Sequence, residues 1–124
     1  MKIGTDTCYS NRFSYETNII GNIPSNFNEA MRDIRLNGNK LSGILNANSF
    51  PENVQVVEYC NNNIYGNIPS SIEKLPNLVD LSLKGNKLNG LVPIEITKLT
   101  RLTKLELSSN TYLSGPIDFL TSLT

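Results

Sequence analysis

Residues Leu78–Pro93 read LVDLSLKGNKLNGLVP. Leu81 and Leu83 alternate with Asp80, Ser82 and Lys84, the period-2 pattern of a half-buried strand. Asn86 follows three residues after Leu83, then come Leu88, Gly90, Val92 and Pro93. The same phrase opens at Leu75 and begins again at Leu99. That recurrence decides the fold.

Working outward from this stretch, an alignment on the turn asparagine picks out Asn18, Asn39, Asn62, Asn86 and Asn110, spaced by 21, 23, 24 and 24 residues. The first unit is degenerate, with Phe13 and Tyr15 at the strand positions and Ile20, Ile23, Pro24 and Phe27 on the return path. The second runs Met31, Ile34, Leu36, Asn39, Leu41, Gly43 and Leu45, with Asn46 where other units carry proline. The third uses Val54, Val57, Tyr59, Asn62, Ile64, Gly66, Ile68, Pro69 and Ile72, and the fifth Leu102, Leu105, Leu107, Asn110, Leu113 and Gly115. Leu120 and Leu123 begin a sixth.

Strands about 24 residues apart cannot close a hairpin, so they stack in parallel through crossovers. No unit has room for a long helix; Ser70 or Ser71 is the expected N-cap of a short 3₁₀ turn after Pro69. The reading is an α/β-type repeat solenoid of about five repeats. It forms one domain over 1–124: 1–27 a degenerate first repeat, 28–119 regular repeats, and 120–124 the start of another. A buried asparagine amide carries two donors and an acceptor, enough to serve turn backbone in its own and the adjacent repeat. Gly43, Gly66, Gly90 and Gly115 admit backbone that a Cβ hinders, and Pro24, Pro69 and Pro93 suit an extended return.

Bulk properties exclude several functions. Eleven basic residues balance eleven acidic ones, which gives no field for nucleic acid or an anionic membrane. The hydrophobic fraction is 39%, with no apolar run near the roughly 20 residues of a spanning helix. The opening residues lack an apolar signal core. The chain has no histidine, which removes His-based triads and metal sites, and no cofactor is expected. Cys8 precedes the first repeat strand and Cys60 ends the third. Counting two rungs of about 4.8 Å puts them beyond the roughly 7 Å reach of a bridge, so two free thiols are expected.

The phrase LxxLxLxxNxLxGxVP at Leu78–Pro93 resembles the leucine-rich repeat of the plant-specific class, and it recurs about five times across nearly the whole chain. That class occurs in plant receptor-kinase ectodomains and polygalacturonase inhibitors. The resemblance implies a right-handed superhelix with a parallel sheet on its concave face, an irregular or 3₁₀ convex side, and a second short sheet near the LxGxIP segment. Flanking cysteine-pair caps and Asn-x-Ser/Thr sequons, usual in secreted members, are absent from this sequence.

In such a solenoid the concave strand positions form the usual partner surface. Here they are Asp33, Arg35, Val56, Glu58, Cys60, Asp80, Ser82, Lys84, Lys104 and Glu106, with Asn18, Asn39, Asn62, Asn86 and Asn110 as a structural ladder. Against a binding role, exposed ion pairs on a solvated sheet are worth only about 0–1 kcal/mol each. Catalysis has little support: Cys60 beside Lys84 lacks a base, and Glu58 and Glu106 stand about 10 Å apart by rung spacing without a cleft. The expected function is a non-catalytic protein or peptide recognition module within a larger protein. The alternative is an extracellular receptor ectodomain fragment or cell-wall-hydrolase inhibitor; cytoplasmic placement follows if the parent is not of receptor type. An ice- or carbohydrate-binding array on the strand columns is disfavoured by their mixed charge. An uncapped C-terminal end is expected to permit self-association.

Overall fold

The computed structural model describes residues 2–3, 20–25 and 27–115, the first two by backbone alone. Its ten short strands are β1 (Lys2–Ile3), β2 (Ile20–Asn22), β3 (Asp33–Arg35), β4 (Lys40–Ile44), β5 (Val56–Glu58), β6 (Asn63–Gly66), β7 (Asp80–Ser82), β8 (Lys87–Leu91), β9 (Lys104–Glu106) and β10 (Tyr112–Ser114). They form two five-stranded sheets, ordered β1-β9-β7-β5-β3 and β10-β8-β6-β4-β2. Every pairing is parallel. Each repeat therefore contributes one strand to each sheet and returns through a 3₁₀ turn at Ala47–Ser49, Ser70–Lys74 or Ile94–Lys98.

The leucine positions build one continuous core between the sheets and the return turns. Val57, Leu81 and Leu105 lie in register on successive strands of the first sheet and are fully buried. Ile64 and Leu88 are likewise buried from the second sheet, and Ile72 and Ile96 from the return turns. Each such side chain contributes about 1.5–3 kcal/mol by leaving water. Tyr59 fills a larger inward position; its ring stacks on Phe50 at 6.2 Å and its hydroxyl donates to the Ser49 carbonyl at 3.0 Å. Burial pushes the Tyr59 phenol well above its ordinary value.

The asparagines join one rung to the next. Asn62 donates to Leu36 O at 3.0 Å in the preceding rung and to Tyr59 O at 3.0 Å in its own, while its Oδ1 accepts from Leu41 N. Asn86 repeats this with Tyr59 O, Leu83 O and Ile64 N, and Asn110 with Leu83 O, Leu107 O and Leu88 N. The Leu36, Tyr59 and Leu83 carbonyls each accept from two successive asparagines. The residue before each of these asparagines is left-handed: Gly38 (φ 71), Asn61 (φ 57), Gly85 (φ 73) and Ser109 (φ 58). This column was invisible in the repeat alignment, because only two of its four members are glycine. Asn18 lies outside the described residues.

Three local details differ from expectation. The 3₁₀ turn Ser70–Lys74 is entered from Pro69 with no side-chain cap, so Ser70 and Ser71 lie inside the turn. Pro69 already fixes an extended φ of −74° there. Where proline is missing, Asn46 caps instead: its side chain accepts from Asn48 N at 2.8 Å and its N–H donates to Ser49 Oγ at 3.0 Å. The first sheet, finally, does not end on β9, because β1 pairs there with Lys2 opposite Lys104 and Ile3 opposite Leu105. The strand edge expected to be open at the C-terminal end is occupied by the chain's own start. Phe13, Tyr15, Leu120 and Leu123 lie outside the described residues.

The ladder predicts a pair of stability changes. Asn86→Ala orphans the buried Ile64 N–H and should cost about 2 kcal/mol or more in urea unfolding, against within about 0.5 kcal/mol for exposed Lys74→Ala. Ser109→Gly relieves a left-handed serine and should gain about 0.5–1 kcal/mol.

Candidate functional site

The outer face of the first sheet collects the side chains between the core positions. Register sets its rows: Asp33, Val56, Asp80 and Lys104 in one, and Arg35, Glu58, Ser82 and Glu106 in the next. Rung spacing then determines which charges meet. Arg35 Nη1 contacts Glu58 Oε2 at 2.7 Å while its Nε holds Asp33 at 2.9 Å. Lys104 Nζ reaches Asp80 Oδ2 at 3.3 Å, directly across the β7–β9 pairing. The guanidinium of Arg35 is held in its charged form chiefly by its hydrogen bond to Asp33, with Glu58 adding to it.

Exposure divides the expected partner residues. Asp33 and Arg35 are exposed; Val56, Asp80, Lys84 and Lys104 are half-buried. Glu58, Cys60, Ser82 and Glu106 are buried, which corrects the expectation that the whole set lies open to a partner. Part of the reason is local bonding. Glu58 takes Arg35 on one oxygen and Asn37 Nδ2 on the other at 3.1 Å. Ser82 Oγ donates to Asp80 at 3.0 Å, and one Glu106 oxygen accepts from Ser108 N–H at 3.1 Å and from the Ser108 hydroxyl. The other Glu106 oxygen is buried with no hydrogen-bond partner.

Asn37 is not among the residues singled out from the sequence. It is buried, with its Oδ1 accepting from Cys60 N at 2.8 Å, so it extends the β3–β5 ladder by one side-chain rung. Its signal was the Asn-Gly-Asn of residues 37–39, a turn motif in which the first asparagine could also serve backbone.

Cys60 corrects the thiol expectation, for it is disulfide-bonded and no cysteine among the described residues is free. Cys8, the chain's other cysteine, lies outside the described residues. The expectation failed because it counted rungs as though the residues before the first repeat stacked below it. β1 instead pairs at the opposite end of the sheet, so rung counting sets no bound on the distance from that segment to β5. Among the described residues no group of three or more His, Cys, Asp or Glu side chains converges as a metal site. No helix there is long and apolar enough to cross a membrane.

A two-sheet parallel solenoid whose rungs are tied by stacked asparagines is the leucine-rich repeat fold. The family profile described as leucine rich repeat matches residues 52–111, and the chain is a leucine-rich repeat protein resembling the plant-specific class. No curated protein matches it. Among solved structures, the plant peptide hormone receptor RGFR1 in complex with RGF2 is 26% identical with a TM-score of 0.73, over 84% of this chain and 17% of that one. The BIR3–SERK2 complex from Arabidopsis thaliana is 31% identical with a TM-score of 0.61, over 73% of this chain and 49% of that one. The ectodomain of the Arabidopsis thaliana receptor kinase GASSHO1/SCHENGEN3 is similar in fold, at 22% identity and a TM-score of 0.66, over 84% of this chain and 16% of that one. The chain thus spans less than half the length of each.

The buried and exposed members of the face should separate on mutation. Glu58→Ala leaves Asn37 and Arg35 without their shared partner and should lower the unfolding free energy by about 1–3 kcal/mol. Asp33→Ala, at an exposed position, should stay within about 0.5 kcal/mol; both are read by thermal denaturation.

Proposed function

We propose that this chain is a recognition module that binds a protein or peptide segment along the outer face of its first sheet, as part of a longer leucine-rich repeat protein. The observation that carries the reading is a set of charges that pair with one another across the face and still keep part of their side chains exposed. Asp33 and Arg35 stand at one edge of the sheet, and Asp80 and Lys104 across its middle. Charges of both signs at fixed spacing favour a partner by complementarity more than by apolar burial. Two similar structures are themselves complexes: one holds a peptide hormone receptor with RGF2, the other joins BIR3 and SERK2. The face supplies no acid–base or nucleophilic arrangement for which a reaction could be written, and the proposed role is non-catalytic. Self-association through the C-terminal end is the weaker reading, since β1 already fills the β9 edge.

An extracellular ectodomain is the compartment we favour for the parent protein. Disulfides persist in oxidising compartments and are rare in the cytosol, and Cys60 is in one. This weighs more than the missing sequons, because glycosylation of a given short segment is optional while a bridge sets a redox requirement.

Two experiments test these readings. Reversing Asp33, Arg35 and Lys104 together should abolish recovery of partners from a secreted-protein extract, while reversing Lys40 and Lys87 on the second sheet should leave it unchanged; the opposite pattern removes the first sheet from binding. Intact mass after maleimide treatment without reductant should show no added label, and added label would argue for a cytoplasmic protein.

A further inference from the structure

The second sheet has a different chemistry from the first, and it borders a groove of about 350 Å³ lined by β2, β4, β6 and the return segments beside them. The groove's lining holds no aspartate, glutamate, lysine or arginine side chain. Asn22, Ser25 and Ser42 present an amide and two hydroxyls with no hydrogen-bond partner among the described residues. Asn46 and Ser49 are fixed in place by their mutual cap. Among the described residues, the ion pairs of the first sheet have no counterpart in the lining of this groove.

One wall is apolar. Ile44 lies directly opposite Tyr65 in the β4–β6 pairing, and both are about half exposed, at 54% and 49%. Ile44 rests on the backbone of Gly66, where an added Cβ would come within 3.3 Å of it. The Asn22 amide in turn lies over Gly43, 3.6 Å from where a Cβ would stand. The two glycines thus let side chains of one rung lie flat across the next, giving a shallow floor with an aromatic ring at one end. Lys87 is the charge nearest in register to Tyr65, and it stands on β8, the side of Tyr65 away from the groove.

We propose that this groove is a binding site for a neutral oligosaccharide. A sugar presents hydroxyls that donate and accept without charge, matching unpartnered amide and hydroxyl groups. Its C–H face packs on an aromatic ring that keeps a polar end in water. The volume falls at the lower end of the range for small-molecule sites, about 300–1,000 Å³. An anionic ligand has no cation here to meet, and a purely apolar one would leave the polar floor without partners. The site lies on the sheet that the proposed partner surface does not use, so it stands independently of that reading.

The test is backbone amide NMR of the oxidised 124-residue chain titrated with neutral trisaccharides of gluco, manno and galacto configuration, and with trigalacturonate as the charged counterpart. At least one neutral sugar should shift the Ser42, Gly43, Asn46 and Tyr65 signals saturably. Tyr65→Ala should weaken that binding about three- to tenfold, whereas Tyr65→Phe should preserve it. Tyr65 is exposed, so neither change disturbs the core. Saturable shifts from no neutral sugar, shifts confined to Arg35 and Lys104 on the other sheet, shifts from trigalacturonate alone, or unaltered binding by Tyr65→Ala would each overturn the proposal.

Discussion

Everything in this molecule depends on an amide that belongs to two rungs at once. The Leu36, Tyr59 and Leu83 carbonyls are each held by the asparagine of their own repeat and by the next one. No single repeat can therefore satisfy its own turn. The NH₂ group reaches back while the carbonyl oxygen receives the N–H of the preceding rung's second-sheet strand, so one side chain fixes the relative position of both sheets. Stability is consequently shared between neighbours. The left-handed residue before each asparagine is the cost of this arrangement, for it turns the chain sharply enough to aim the amide inward. Glycine meets that demand without strain, and Asn61 meets it because asparagine tolerates the left-handed region. Ser109 meets it least well.

Fixed rung spacing then dictates the electrostatics of the first sheet. Parallel strands in register put equivalent side chains side by side, so a charge on one rung meets whatever the next repeat carries in the same column. Asp80 meets Lys104 and Arg35 meets Glu58 because the sequence alternates sign between repeats at those columns. Where a pair is buried, as at Glu58, desolvation binds its value to the full set of partners. Glu58 keeps two side chains, Arg35 and Asn37, in place, and the residues left for recognition are those at the sheet's margin and upper surface.

How much of this was legible in the sequence follows from whether a feature repeats. Leu81, Leu83, Asn86 and Gly90 recur at fixed offsets, and the core, the first-sheet strands and the ladder could be placed from that period, while the second sheet was expected only from the family resemblance. The family resemblance rested on the same residues. Features that occur once were not legible. Cys60 stands alone in its column, so no period signals its bridge, and the pairing of β1 with β9 joins residues about a hundred positions apart with no pattern in either. The burial of Glu58, Ser82 and Glu106 was missed for a related reason: an alternating strand pattern says which side of a sheet a residue faces, not what lies over that side. Asn61 and Ser109 hid the left-handed column because the conformation recurs there while the residue type does not.

The two sheets diverge in chemistry for a reason rooted in the repeat itself. In the first sheet the positions between leucines lie in register from rung to rung, and their charged residues pair across rungs. In the second sheet the LxGxIP segment already commits its glycine and proline, and the strands are offset along the stack, so that Ile44 meets Tyr65 and Tyr65 meets Lys87 instead of a like residue. Columns of like side chains cannot form under that stagger, and neither can regular charge ladders. What forms is a patchwork of small polar groups, glycine floors and single exposed apolar side chains. A solenoid of this type thus offers two surfaces of opposite character from one period, and mutations on one face leave the register of the other intact because the asparagines, which hold both, face neither.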